Sequence, residues 1–99
     1  MIKGKRLGKT DFEDKVYSVV IGIPRGQVRS YKWVAARIGR PGAYRAVGSA
    51  LKRNPHMGLV PCHRVVRSDG RPGGFVKGVR EKARLLKAEG VDLARRRDV

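Results

Sequence analysis

Cys62 is the only cysteine in the chain, and His63 follows it directly. A thiolate is a far stronger nucleophile than a thiol, yet an ordinary cysteine, with a pKa near ~8.5, is only about 3% ionised at neutral pH. A nucleophilic cysteine therefore needs surroundings that favour the anion. An imidazole and a cationic neighbourhood do this without a metal, and the groups at hand are His63, Arg64 and Arg67. Leu59-Val60 before the segment and Val65-Val66 after it read as a short buried run that holds the cysteine rigidly. Adjacent side chains of an extended segment point to opposite sides. His63 is thus expected to miss the sulfur unless the backbone turns, and to act as base through a bridging water. A histidine in that role needs an acceptor for its other ring nitrogen.

Short helices must position these residues. Thr10, with Glu13 three residues on, is a capping-box signature, and Phe12, Val16, Val19, Val20 and Ile23 recur at helical spacing, so an amphipathic first helix is expected to close near Gly22. Ile23-Pro24-Arg25-Gly26-Gln27 reads as a connecting turn. Ser30 is a good N-cap for a second helix over 31–38, with Val34 and Ile38 inward and Gly39 as its stop. A third helix over 43–53 is expected to place Ala46, Val47, Ala50 and Leu51 on one stripe, leave Arg45, Ser49, Lys52 and Arg53 largely outside it, and end at Asn54-Pro55. Two short helices joined by Gly39-Arg40-Pro41-Gly42 make a helix-turn-helix whose second member is the candidate recognition helix. Residues 57–66 read as extended or irregular and 67–74 as a turn cluster, so Cys62 falls on a loop or a short strand. A last helix carries Val79, Ala83 and Leu86 in register, with Leu85 flanking, and ends at Gly90. The expected fold is mainly α: a small helix-turn-helix, winged-helix-like domain with little β structure. Residues 1–99 make one domain with one modest core, and 1–9 and 91–99 are expected to be flexible ends.

The charge points to a partner. There are 24 Lys+Arg against 8 Asp+Glu, a formal net charge of +16. No acidic residue occurs between Asp14 and Asp69, whereas Lys15, Arg25, Arg29, Lys32, Arg37, Arg40, Arg45, Lys52, Arg53, Arg64 and Arg67 all lie there. A charge run is usually a solvated face, but this density over half a domain favours a nucleic acid. A single cysteine excludes an internal disulfide, and beside it only His56 and His63 are available, so a four-ligand structural zinc site would need carboxylates. A metal-free chain with no cofactor is expected, in the cytoplasm and associated with the nucleoid. No apolar run approaches the ~20 residues that span a bilayer, and the basic start has no apolar stretch behind it.

The Pro61-Cys62-His63-Arg64-Val65 segment resembles the active-site motif of the O6-alkylguanine-DNA alkyltransferases, repair proteins that move an alkyl group from guanine to their own cysteine. Further stretches fall in the same order as in that family: Ile23-Pro24-Arg25-Gly26-Gln27-Val28, Ser30-Tyr31, Arg45-Ala46-Val47-Gly48, Asn54-Pro55, Gly73-Gly74-Phe75, Leu85-Leu86 and Glu89-Gly90. The resemblance spans 12–90. A lone cysteine is most often a small buried hydrophobe, but several ordered motifs reverse that reading and make Cys62 the nucleophile. The resemblance implies that Glu89 orients His63 and that Asn54 braces the third helix against the active-site segment. It makes Arg45 a finger that enters the base stack and fills the space of the extruded nucleotide, since a thiolate cannot reach a base buried in a duplex until the base is flipped. Tyr31 either packs against the core or, as the resemblance implies, hydrogen-bonds the base or pushes on its phosphate. Ala46 and Gly48 would let the third helix lie close in a minor groove. Gly74, Phe75 and Val76 would shape the base pocket beside Gly73, and the Val65 carbonyl would read the guanine amino group. Phe75 stands where tyrosine is frequent, and Val76 replaces a polar residue seen in some members.

The expected function is DNA repair: irreversible transfer of an alkyl, foremost a methyl, from O6 of guanine in double-stranded DNA to Cys62, each monomer acting once. Two alternatives share the charge and the fold. One is an alkyltransferase-like damage sensor, against which Cys62 itself speaks because tryptophan is common at that position in such proteins. The other is a plain helix-turn-helix DNA-binding protein in which Cys62 is incidental.

Overall fold

The computed structural model describes residues 7–56, 58–69, 71–73 and 78–92. Helix α1 spans Asp11–Ile21, and the Thr10 side chain accepts a hydrogen bond from the Glu13 amide at 3.1 Å, as the capping signature requires. The reciprocal half of the box is shifted by one residue, for the Glu13 carboxylate accepts from the Lys9 amide at 3.0 Å. Its other oxygen takes Arg53 at the far end of the third helix. Asp11, Glu13 and Asp14 fill the first turn, where negative charge favours the helix dipole. The same turn holds the preceding chain: the Leu7 amide donates to Asp14 at 2.7 Å, the Leu7 carbonyl meets the His56 ring at 3.0 Å, and the Leu7 side chain is buried. Leu7 was expected within a flexible end, and its side chain instead joins the core.

Strand β1 (Arg29–Ser30) runs into helix α2 (Tyr31–Arg37), whose cap is Ser30 accepting from the Trp33 amide at 2.9 Å. Gly39, at φ +80°, closes α2. Its amide bonds the Ala36 carbonyl at 3.0 Å and the Arg40 amide bonds the Ala35 carbonyl at 2.9 Å, a Schellman ending that only a residue free to take positive φ accepts readily. Helix α3 (Tyr44–Lys52) follows as the second member of the helix-turn-helix. Val47, Ala50 and Leu51 are its buried stripe, while Ala46, expected in that stripe, is exposed on the outer face. The buried Tyr17 hydroxyl donates to the Ala50 carbonyl at 2.6 Å and ties α1 to α3. Around Tyr17 gather Val16, Val20, Val34, Val47 and Val60, each 0% exposed. Complete burial of one such valine contributes about 1.5–3 kcal/mol.

Beyond α3, where the sequence reads as extended or irregular, the chain forms a short turn and then a short strand. The Cys62–Arg64 segment is one turn of 3-10 helix, closed by the Arg64 amide on the Pro61 carbonyl at 2.9 Å. Strand β2 (Val65–Val66) then pairs in parallel with β1, Arg29 opposite Val65 and Ser30 opposite Val66. Helix α4 (Val79–Ala88) ends in a second Schellman motif. Gly90, at φ +83°, bonds Lys87, and the Val91 amide bonds Leu86 at 2.9 Å. The accompanying apolar contact is present too: Val91 and Leu86 join Val28 and Val66 in a small cluster of their own. The register of α4 differs from expectation, because Val79 and Ala83 are exposed and its buried positions are Lys82 and Leu86. Among the described residues the molecule is mostly helical with one two-stranded sheet. No described helix is long and apolar enough to cross a membrane.

Candidate active site and nucleic-acid interface

The Cys62 turn is gripped from both ends. Asn54, 4% exposed at the exit of α3, donates from its amide to the Val60 carbonyl at 3.0 Å and accepts from the His56 amide at 2.8 Å. The Val60 carbonyl also accepts from the Cys62 amide at 2.8 Å, so the asparagine holds the carbonyl that holds the nucleophile. Asn54 thus links the exit of α3 to the segment that precedes Cys62. On the other side Glu89 lies 2.8 Å from His63 Nε2. Glu89 is the C-cap residue of α4, set by the Gly90 ending, at the end of the dipole that disfavours an anion.

Two side chains, Arg64 and His63, offset that disadvantage. Arg64 donates to Glu89 through Nε at 3.0 Å and Nη2 at 2.9 Å, a two-pronged pairing, while its Nη1 reaches the Ile23 carbonyl at 2.9 Å. Held first by Arg64 and then by His63, and against the opposing effect of burial, the Glu89 carboxyl falls from 4.5 to about 2. Arg64 was expected to supply positive charge to the thiol, but its guanidinium is committed to Glu89. The expected alternation of adjacent side chains also fails at this point, because the backbone turns at Cys62. Cys62 is itself 4% exposed and sits in the main core.

Near Cys62 lies a second pairing, of which sequence reasoning named Tyr31 and missed Lys82. Lys82 is 0% exposed, donates from Nζ to the Tyr31 hydroxyl at 3.1 Å, and stands 5.4 Å from the centre of the Tyr31 ring. Burial lowers the ammonium from 10.5 to about 8, with the Cys62 charge opposing the fall. Burial likewise pushes the Tyr31 phenol up to about 12, and the Cys62 charge adds to the rise. A lysine on a short basic helix looks in sequence like any solvated cation. The signal available was its spacing of four from Leu86.

Tyr31 also lines a surface groove of about 560 Å³, together with Lys32, Arg45, Gly48, Lys52 and Arg67. The groove therefore runs along the exposed side of α3 and is strongly basic, with Asp69 on its rim. Arg45 stands on the first turn of α3, exposed, with no hydrogen bond or ion pair among the described residues. Gly48 is half-buried, and a methyl group there would meet the Tyr31 ring at an ordinary 3.8 Å, so the tyrosine does not require glycine at that position. Gly73 is different. At φ +75° its missing methyl would lie 2.6 Å from the Tyr31 hydroxyl, so the loop after β2 lies directly against that ring. Val65 begins β2, fully buried, just after the turn. Gly74, Phe75 and Val76 lie outside the described residues.

The described residues thus combine a helix-turn-helix and its basic groove with a buried cysteine whose chain neighbours His63 and Arg64 share one carboxylate. Residues 11–91 match the 6-O-methylguanine DNA methyltransferase, DNA binding domain family, and the chain belongs to that family. The methylated-DNA--protein-cysteine methyltransferase of Methanothermobacter thermautotrophicus is 50% identical over 86 residues, covering 87% of this chain and 48% of the relative. The namesake protein of Methanosarcina barkeri is 49% identical over 80 residues, covering 81% and 51%. This chain thus spans about half the length of those relatives. Among solved structures, the Mycobacterium tuberculosis OGT in complex with DNA superposes with a TM-score of 0.80 at 44% identity, covering 83% of this chain and 51% of that one. Atl1 of S. pombe, in complex with damaged DNA containing O6-carboxymethylguanine, superposes at 0.74 with 35% identity, covering 82% and 77%.

Proposed function

We propose that this chain repairs O6-alkylguanine in duplex DNA by moving the alkyl group to Cys62. The observation that carries the reading is the meeting at the Cys62 turn of the His63–Glu89 pair with, close enough to feel the Cys62 charge, the Tyr31–Lys82 pair, whose tyrosine lines a basic groove. In this reading α3 lies along the DNA, Lys32, Lys52 and Arg67 meet phosphates, and Arg45 takes the space of the flipped nucleotide, offsetting an unpairing cost of a few kcal/mol. His63, oriented by Glu89, accepts the thiol proton through a water. The thiolate attacks the alkyl carbon in line: the carbon–sulfur bond forms as the bond from carbon to O6 breaks, and the electron pair returns to guanine. Tyr31, held by Lys82, lines the groove that receives the base, and the departing guanine is restored on taking up one proton. A thioether is a poor leaving group, so each molecule acts once.

The test is the intact mass of the protein after incubation with duplex DNA containing O6-methylguanine. Gain of one methyl on the peptide holding Cys62, absent from Cys62→Ser, is the expected result. Tight lesion binding with no change of mass would replace transfer by recognition alone.

A further inference from the structure

The chain's single tryptophan is on the surface. Trp33 is 38% exposed, and two guanidiniums lie over its ring, Arg29 at 5.4 Å and Arg37 at 5.8 Å from the centre. Arg29 is further steadied by the Val28 carbonyl at 2.9 Å and the Gln27 side chain at 2.8 Å. Among the described residues no carboxylate pairs with either arginine. A large exposed indole held between cations has no place in the core and no part in the site above.

Its position on α2 is informative. Val34 and Ala35 face the core, and Lys32 lines the basic groove with its ammonium 5.3 Å from the Tyr44 ring centre. Each residue turns the helix by about 100°, so Trp33 and Arg37 lie on the outer face just past the groove's rim. A DNA strand leaving the groove over Lys32 meets this face next. In duplex DNA the base faces are stacked inside and the outer rim presents phosphates, for which two arginines would suffice. An indole adds affinity where a base face is open, which is the case for an unpaired strand.

We propose that Trp33, Arg29 and Arg37 form a second DNA-binding surface, specific for single-stranded DNA next to the duplex held in the groove. An unpaired base stacks on Trp33, and the arginines move from the ring to the flanking phosphates. The exchange is favourable because a guanidinium on an exposed ring is worth less than a stacked base, and a phosphate is a better partner for arginine than an indole. This inference rests on the repair reading for the DNA in the groove and extends it to lesions beside single-stranded gaps or junctions.

The test compares a blunt duplex with the same duplex bearing an unpaired extension of either polarity, by anisotropy of labelled DNA and by the emission of Trp33. The extended duplex is expected to bind about tenfold tighter and to quench the tryptophan. Trp33→Leu, shown by circular dichroism to be folded, should remove that increment, and Trp33→Phe should restore most of it. Arg29→Gln with Arg37→Gln should lower the salt slope of the extended duplex by about 0.7 for each phosphate no longer neutralised. Equal affinity for the two DNAs, unchanged emission, or a Trp33→Leu effect of the same size on both would overturn the proposal. The mass of Cys62, read in the same samples, reports separately on transfer, so failure of that reading is not confused with failure of this one.

Discussion

Replacing Lys82 by methionine should make the protein more stable at neutral pH and less stable at high pH. The lysine is 0% exposed, and burial holds its ammonium at about 8 instead of 10.5. At about 1.4 kcal/mol per factor of ten, carrying that charge into the core costs the folded state about 3 kcal/mol below pH 8. Methionine has a similar length and no charge, and its substitution forfeits the 3.1 Å hydrogen bond to Tyr31, worth roughly 1 kcal/mol. The variant should therefore gain about 2 kcal/mol at pH 7, a rise in Tm of about 10 °C for a domain of this size. The sign then reverses with pH. Between 8 and 10.5 the unfolded chain binds a proton that the folded chain has released, so the stability of the parent climbs through this window. Above it the lost hydrogen bonding remains, and the variant should be the weaker by about 1 kcal/mol for each bond forfeited, the one to Tyr31 among them. Urea unfolding of both proteins from pH 6.5 to 10.5 reads the crossing. A variant that is weaker at pH 7, or a difference that does not change with pH, refutes the reasoning. In the transfer assay the same variant should be slower, since Tyr31 loses the group that positions it.

Two further outcomes concern the other flank and the loop. Glu89→Gln removes a carboxylate held at about 2 rather than 4.5, so it should lower stability by about 3 kcal/mol at neutral pH. Because the folded value is depressed, that contribution is full above pH 4.5 and is lost as pH falls toward 2. Melting curves of parent and variant should converge there, and a gap undiminished at pH 2 would count against the assignment. Gly73→Ala places a methyl 2.6 Å from the Tyr31 hydroxyl at a φ of +75°, and should lower stability by about 1–3 kcal/mol and slow single-turnover transfer. Unchanged melting and unchanged transfer would show that the loop does not bear on Tyr31.

The helices were legible because their boundaries are chemical. Thr10 and Ser30 cap as their side chains dictate, and Gly39 and Gly90 stop their helices where positive φ is needed. Cys62, His63, Glu89 and Asn54 were legible through ordered motifs, and the structure brings His63 to Glu89 and Asn54 to the Cys62 turn. Periodicity failed where polar side chains are buried. It assigned α4 the wrong face, because the buried position is taken by an ammonium whose partner, Tyr31, lies 51 residues away. It left the cysteine segment as extended or irregular chain, because a single 3-10 turn leaves no repeat to detect. The pairing of Arg64 with Glu89 was hidden for a related reason: a cation beside a reactive thiol has an obvious use, and only the fold reveals a carboxylate 25 positions on that claims it.

Lys82 and Glu89 are seven residues apart, two turns of helix and thus nearly the same face of α4, about 10 Å from each other along the axis. One reaches Tyr31 and the other His63 and Arg64, so a single rigid rod sets the spacing between the two sides of the Cys62 turn. Such a rod works as a gauge. Inserting or deleting one residue between them would rotate one end by about 100° and shift it by about 1.5 Å while leaving the other in place. Exposed side chains along this stretch, such as Ala83 and Lys87, are open to exchange, but its length is not, and chains of this family that differ in length should differ before Val79 or after Gly90 rather than between Lys82 and Glu89.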